Sequence, residues 1–187
     1  MEYKRILTIQ DISCVGQCSL TVALPILSAC GMETCVLPTA LLSTHTGGFG
    51  KPSVIHLDDS LEAFREHWKE NSITFDAILT GYLGSVAAVK AAEIIIEEML
   101  SPGGIAIVDP AMADHGKLYS GLSEEYAEAM ALLCQRADIL LPNITEAAML
   151  SGHTYRENPD QAYIETLMKG IGNSCTVFPG CFRYSAR

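Results

Sequence analysis

Five apolar runs in this sequence finish on side chains able to hold a small polar ligand. They end in Gln10-Asp11, in Thr39, in Thr80-Gly81-Tyr82-Leu83-Gly84-Ser85, in Asp109-Pro110, and in Asn143 with Glu146 one helical turn further on. Three carboxylates, an amide, a tyrosine and two glycines are more than chain reversal requires. Together they suit a small-molecule site. Each also has a plainer reading. Tyr82 suits a core position with its hydroxyl satisfied, and Asp109 before a proline suits a turn. Asn143 and Glu146 suit a helix cap and a first-turn acid. Two phosphate-binding readings fail. Gly50-Lys51 is followed by Pro52 where a phosphate loop needs Ser or Thr, and Gly81-x-x-Gly84 lacks the first glycine of the dinucleotide fingerprint.

Bringing these residues to one rim requires strands that alternate with helices. The pattern predicts strands at 4–9, 33–38, 76–79, 105–108, 139–141 and 175–178. Helices are expected at 61–70, 86–100, 123–136, 145–150 and 159–169, and one more is capped by Ser19, runs to Cys30 and is closed by Gly31. Leu61, Phe64 and Trp68 are expected to share a buried face, and Pro102-Gly103-Gly104 to form a turn. Residues 43–53, polar and glycine-rich, read as a mobile flap. The strands are continuously apolar rather than alternating, which predicts a parallel sheet covered on both faces. The expectation is one α/β domain over 1–187: an open, mainly parallel sheet with helices on both faces and right-handed crossovers. Ligands of such sheets bind beyond the carboxyl ends of the strands.

Composition bounds the function. The chain has 187 residues, 49% hydrophobic and 18% charged, which suits a compact core. Its net charge of -10, with no clustered Lys and Arg, argues against nucleic acid as a partner. The apolar run at 6–9 is too short for a signal peptide, and no run approaches the length of a membrane span, about 20 residues. A cytoplasmic protein without a membrane partner is expected. Its seven cysteines (14, 18, 30, 35, 134, 175 and 181) then read as reduced thiols. Cys14 and Cys18 have no second pair to complete a zinc site. His56, His67, His115 and His153 read as surface or loop residues.

Taken in order, Ile9-Gln10, Val15-Gly16, Ser43-Thr44-His45-Thr46-Gly47, Leu79-Thr80-Gly81-Tyr82-Leu83-Gly84-Ser85, Asp109-Pro110 and Pro142-Asn143-x-x-Glu146 resemble the pyridoxal/pyridoxamine (vitamin B6) kinases of the ribokinase-like superfamily. The likeness runs from about residue 4 to 178. Asp-Pro and Asn-x-x-Glu mark only the superfamily; the His-Thr-Gly flap with Thr-Gly-Tyr-x-Gly-Ser points to B6 kinases.

The resemblance implies ATP-dependent phosphorylation of the 5′-hydroxyl of pyridoxal, pyridoxine or pyridoxamine. ATP and Mg2+ are the implied cofactors, with K+ as a further ion, and a homodimer is the implied assembly. By position, Asp11, His45, Thr46 and Tyr82 would bind the B6 substrate. Asp109, Asp114, Tyr119 and Asn143 would serve the nucleotide and its phosphates. Asp109 and Glu146 would hold the metal. Magnesium suits carboxylates plus retained waters, and an aromatic face suits a flat heteroaromatic ring. Members of the family are longer, and their further part carries a Gly-x-Gly-Asp segment that supplies an anion hole and the base. No such segment occurs here, so the C-terminal nucleotide-binding part and the catalytic residues are expected to be missing and the chain inactive alone. A hydroxymethylpyrimidine kinase of thiamine synthesis and a non-catalytic B6-binding module remain alternatives.

Overall fold

The computed structural model describes residues 4–171 and 176–177. In chain order the elements are β1 (Arg5–Ser13), α1 (Leu20–Ala29), β2 (Glu33–Leu42), β3 (Val54–His56), α2 (Asp58–Glu70), β4 (Phe75–Thr80), α3 (Val86–Met99) and β5 (Leu100–Val108). Then come β6 (Ala113–Asp114), β7 (Lys117–Leu118), α4 (Glu124–Cys134), β8 (Ile139–Leu140), α5 (Ile144–Leu150), α6 (Gln161–Ile171) and β9 (Thr176–Val177). Among the described residues seven strands form one sheet in the order β3-β2-β1-β4-β5-β8-β9. Neighbours are parallel except β2 and β3, and β6 with β7 makes a separate antiparallel hairpin. The mainly parallel α/β architecture read from the sequence is the one the chain adopts. Cys175 and Phe178, the ends of the last expected strand, lie outside the described residues.

β1 is central, and its side chains from Ile6 to Asp11 are all buried. A strand covered on both faces has no polar side, which explains the continuous apolar run. It extends past the expected end at residue 9 because pairing with β2 resumes beyond Asp11, at Ile12 and Ser13. There the register with β2 shifts, so that Thr39 and Ala40 face one β1 residue. Such irregularities re-aim side chains near sites. β4 and β5 follow on the other side, with α3 over them and α4 against α3. Ile78, Ala92, Ile95, Met99, Met130 and Leu133 from these elements form much of the core.

Several local expectations need correction. Ser19 precedes α1 but does not cap it through its side chain; its φ is 52°. Thr21 ties the chain just before the helix, its hydroxyl accepting from Cys18 N (3.1 Å) and donating to Cys18 O (2.8 Å). Gly31, at φ 84°, closes the turn after the helix as expected. On α2 the inward residues are Leu61 and Arg65, while Phe64 is 43% exposed. Arg65 turns inward because Glu62, Glu66 and Glu98 surround its guanidinium, joining α2 to α3 by charge. α3 ends at Met99, not Leu100. The Pro102-Gly103-Gly104 turn survives as an excursion inside β5, where Phe75 pairs with Leu100 but Ala77 with Ile105. β3 and the β6–β7 hairpin were not foreseen.

Candidate functional site

The strand side of the site is built from main chain. Gly81 N donates to Ile9 O (3.1 Å) and Asp11 N donates to Tyr82 O (3.1 Å), so the segment after β4 continues alongside the end of β1. Gly81 is required there: a Cβ would stand 2.6 Å from Gln10 Oε1. Asp11 is 2% exposed, and its Oδ2 accepts from the Ser13 hydroxyl (3.1 Å). Burial, and then the Asp11 charge, pushes the Tyr82 hydroxyl up. Ser85 closes the segment, accepting from Ala88 N (3.0 Å) as the cap of α3 and donating to Asp58 (2.7 Å).

The opposite side hangs on the first turn of α5. Asn143 caps that helix, accepting from Thr145 N and Glu146 N, while Glu146 Oε2 accepts from Asn143 N (2.8 Å). The same turn grips the β6–β7 hairpin. Glu146 Oε1 accepts from Met112 N (3.1 Å) and Ala113 N (3.4 Å), and Asn143 Nδ2 donates to Ala113 O (2.7 Å). The hairpin reverses through His115 and Gly116, both at positive φ (49° and 77°), a two-residue turn of the twist that hairpins favour. Asp114 Oδ1 accepts from His115 N (2.8 Å) within that turn. Beyond it, Tyr119 N donates to Met112 O (2.9 Å), and the Tyr119 ring lies 6.4 Å from that of Tyr82 at 56°. The two sides therefore meet through a pair of tyrosines.

Charge accumulates beside that pair. Glu146 is 2% exposed, and burial pushes its carboxyl up to about 8; nearby Asp109 adds to this and the backbone N–H donors oppose it. Asp109, held by Asp109 N donating to Thr80 O (3.3 Å), is pushed up by burial to about 6. Its carboxylate meets no hydrogen-bond donor among the described residues. Tyr119 is raised by burial first, then by Glu146, Asp114 and Asp109, which places all four groups within electrostatic reach of one another.

Thus Asp11, Tyr82, Asp109, Asp114, Tyr119, Asn143 and Glu146 share one end of the sheet. The flap residues behave differently. His45 N donates to Val15 O (2.7 Å) and its Nδ1 accepts from Gly47 N (3.2 Å), so its bonds run to the loop after β1 and to its own segment. Thr46 is exposed and makes no hydrogen bond among the described residues. Three neighbours went unnoticed in the sequence. The His56 ring lies 3.8 Å from where a Gly84 Cβ would stand, Cys18 lies within electrostatic reach of Tyr119, and Thr145 accepts from Gly116 N (3.1 Å). Only the His-Gly pair at 115–116 carried a readable signal, that of a tight hairpin turn.

Comparison with known proteins places this geometry. Residues 24–180 match the family described as phosphomethylpyrimidine kinase. The crystal structure of pyridoxal kinase from Lactobacillus plantarum superposes with a TM-score of 0.84 at 39% identity, covering 94% of this chain and 63% of that one. Pyridoxal kinase from Leishmania donovani, in complex with ADP and pyridoxamine, gives 0.83 at 25% identity, covering 93% and 61%. Among curated sequences, pyridoxal kinase PdxY of Aliivibrio fischeri is 29% identical over 182 residues, 90% of this chain and 61% of that protein. The chain thus spans about three-fifths of the length of these relatives. With most of its length matched and its fold shared, the chain belongs to the phosphomethylpyrimidine kinase family.

Proposed function

We propose that the chain forms the substrate-side part of an ATP-dependent kinase acting on the 5′-hydroxyl of a B6 vitamer. The observation that carries this is Tyr82 beside buried Asp11, an aromatic and polar setting suited to a substituted pyridine, with Tyr119 of the nucleotide side 6.4 Å away. Relatives whose structures hold ADP with pyridoxamine support it. In this reading Asp11, Tyr82, His45 and Thr46 bind the vitamer, and Asp109, Asp114, Tyr119 and Asn143 face the nucleotide. The homodimer in this reading rests on the family resemblance alone, and a cytoplasmic location stays part of the proposal. Among the described residues no helix is long and apolar enough to cross a membrane.

The residues fit a hydrated magnesium ion loosely. Asp109 offers a carboxylate free of donors, whereas both oxygens of Glu146 already accept backbone N–H groups. No three metal-ligating side chains gather among the described residues. Magnesium keeps several waters and takes one or two carboxylates, so Asp109 would bind it directly and Glu146 through water. When bound, it neutralises charge on nucleotide phosphates. Without a Gly-x-Gly-Asp segment the chain lacks both base and anion hole, each worth on the order of 100-fold or more in rate.

Titrating the purified chain with pyridoxal, and assaying pyridoxal phosphate formation with ATP, tests the proposal. Pyridoxal binding that Tyr82→Ala weakens about tenfold, without turnover, is expected. Robust turnover would refute the substrate-half reading. The family's description, phosphomethylpyrimidine kinase, supports a second reading, a related pyrimidine such as hydroxymethylpyrimidine as substrate. Competition between pyridoxal and hydroxymethylpyrimidine for the chain separates the two.

A further inference from the structure

Thr145 sits between the two residues that the Asn-x-x-Glu pattern singles out, and the proposed chemistry gives it no task. It is fully buried, at 0% exposure, in the first turn of α5. Its N–H is already used, donating to the Asn143 cap (2.8 Å). Its hydroxyl oxygen points away from its own helix and accepts from Gly116 N (3.1 Å), at the tip of the β6–β7 hairpin. Gly116 is locked from the other side as well. It lies at φ 77°, and a Cβ on it would stand 2.7 Å from the Tyr155 ring. Asn143 and Glu146 hold the base of the hairpin, at residues 112 and 113, and Thr145 is the α5 side chain that holds its tip.

The geometry points to Thr145 as a positioning residue that sets where the Tyr119 ring stands against Tyr82. The route is short. Tyr119 follows β7 directly, and its backbone closes the hairpin base by donating to Met112 O (2.9 Å). A two-strand hairpin with only two paired positions has little stability of its own, so its orientation is decided by what grips it. Fixed at the base alone it can pivot; fixed also at the tip it cannot. Losing the tip bond leaves a half-buried Gly116 N–H without its partner and frees the pivot. The relevance to ligand binding rests on the proposed B6 site; the positioning itself does not.

The test uses the full 187-residue chain. Thr145→Val keeps shape and removes the acceptor, Thr145→Ala removes it while leaving room, and Thr145→Ser restores it. Fluorotyrosine labelling, with Tyr119→Phe to assign the signal, reads the Tyr119 ring; amide exchange reads Gly116. In Val and Ala variants the Tyr119 resonance is expected to shift or broaden and Gly116 exchange to rise about tenfold, with Ala147 and Ala148 amides unchanged. Ser should return both readouts to wild-type values. A Tyr119 signal and Gly116 exchange untouched by Val and Ala, or a Ser variant that behaves like Val, would overturn the assignment. A wild-type chain that fails to bind pyridoxal, while Val still moves Tyr119, would overturn the B6 proposal and uphold the positioning role.

Discussion

Asp11 and Tyr82 are held by main-chain hydrogen bonds that prolong the sheet, whereas Tyr119 faces them from a hairpin gripped by three side chains of one helical turn. The strand side inherits the rigidity of β1, which is buried along nearly its whole length. The hairpin side depends on a few polar contacts, so single substitutions should loosen it without touching the sheet. A site built this way has one fixed wall and one adjustable wall, as ligand-closing elements drawn from less stable regions commonly do.

The contrast can be broken hardest at Glu146. Glu146→Ala strips the acceptor from three backbone N–H groups and should cost about 3 kcal/mol or more in denaturant unfolding, with hairpin amides losing protection first. Protection lost uniformly across the sheet would contradict it. Gly81→Ala attacks the fixed wall. The added methyl must push Gln10 out of a buried position, for a loss of about 1–3 kcal/mol, with hairpin amides keeping their relative protection.

A pH series sharpens the comparison, because the raised carboxyls lie beside the adjustable wall. Asp109 at about 6 and Glu146 at about 8 both stand above their ordinary values of 3.8 and 4.5. Between those limits the native chain holds more protons than the unfolded one, so stability falls as pH rises from about 4 to about 8. The Tm of the ligand-free chain should therefore decline over this window, and Glu146→Gln should flatten the part between 6 and 8. A Tm independent of pH would exclude the effect. The smallest expected change is Ser85→Ala, about 1 kcal/mol for a lost cap, against Ser19→Ala, where the missing cap bond predicts less than about 0.5 kcal/mol.

The parts of the fold set by long periodic patterns were readable from the sequence. Continuous apolar runs marked β1, β4 and β5, and Gly31 marked the end of α1. Asn143 with Glu146 was readable in both senses: the cap geometry is present, and its acid also reaches the hairpin. What escaped depended on tertiary context. Ser19 looks like a cap, but the chain enters α1 at positive φ and its side chain makes no cap bond. Phe64 looks like core, but a triple carboxylate draws Arg65 inward in its place. The two-residue strands of the hairpin carry no periodicity, and Thr145 is distinguished only by what folds onto it.

The position of β1 inside the sheet, between β2 and β4, has a consequence during synthesis. Among the described strands it is made first, yet one of its two neighbours, β4, begins roughly 70 residues later. At ribosomal speeds of about 5–20 residues per second, Arg5–Ser13 waits roughly 4–14 s for that partner. β2 emerges much sooner and pairs with almost all of it, so early docking of the β1–α1–β2 unit shields one edge of the nascent strand while the other stays open to chaperones.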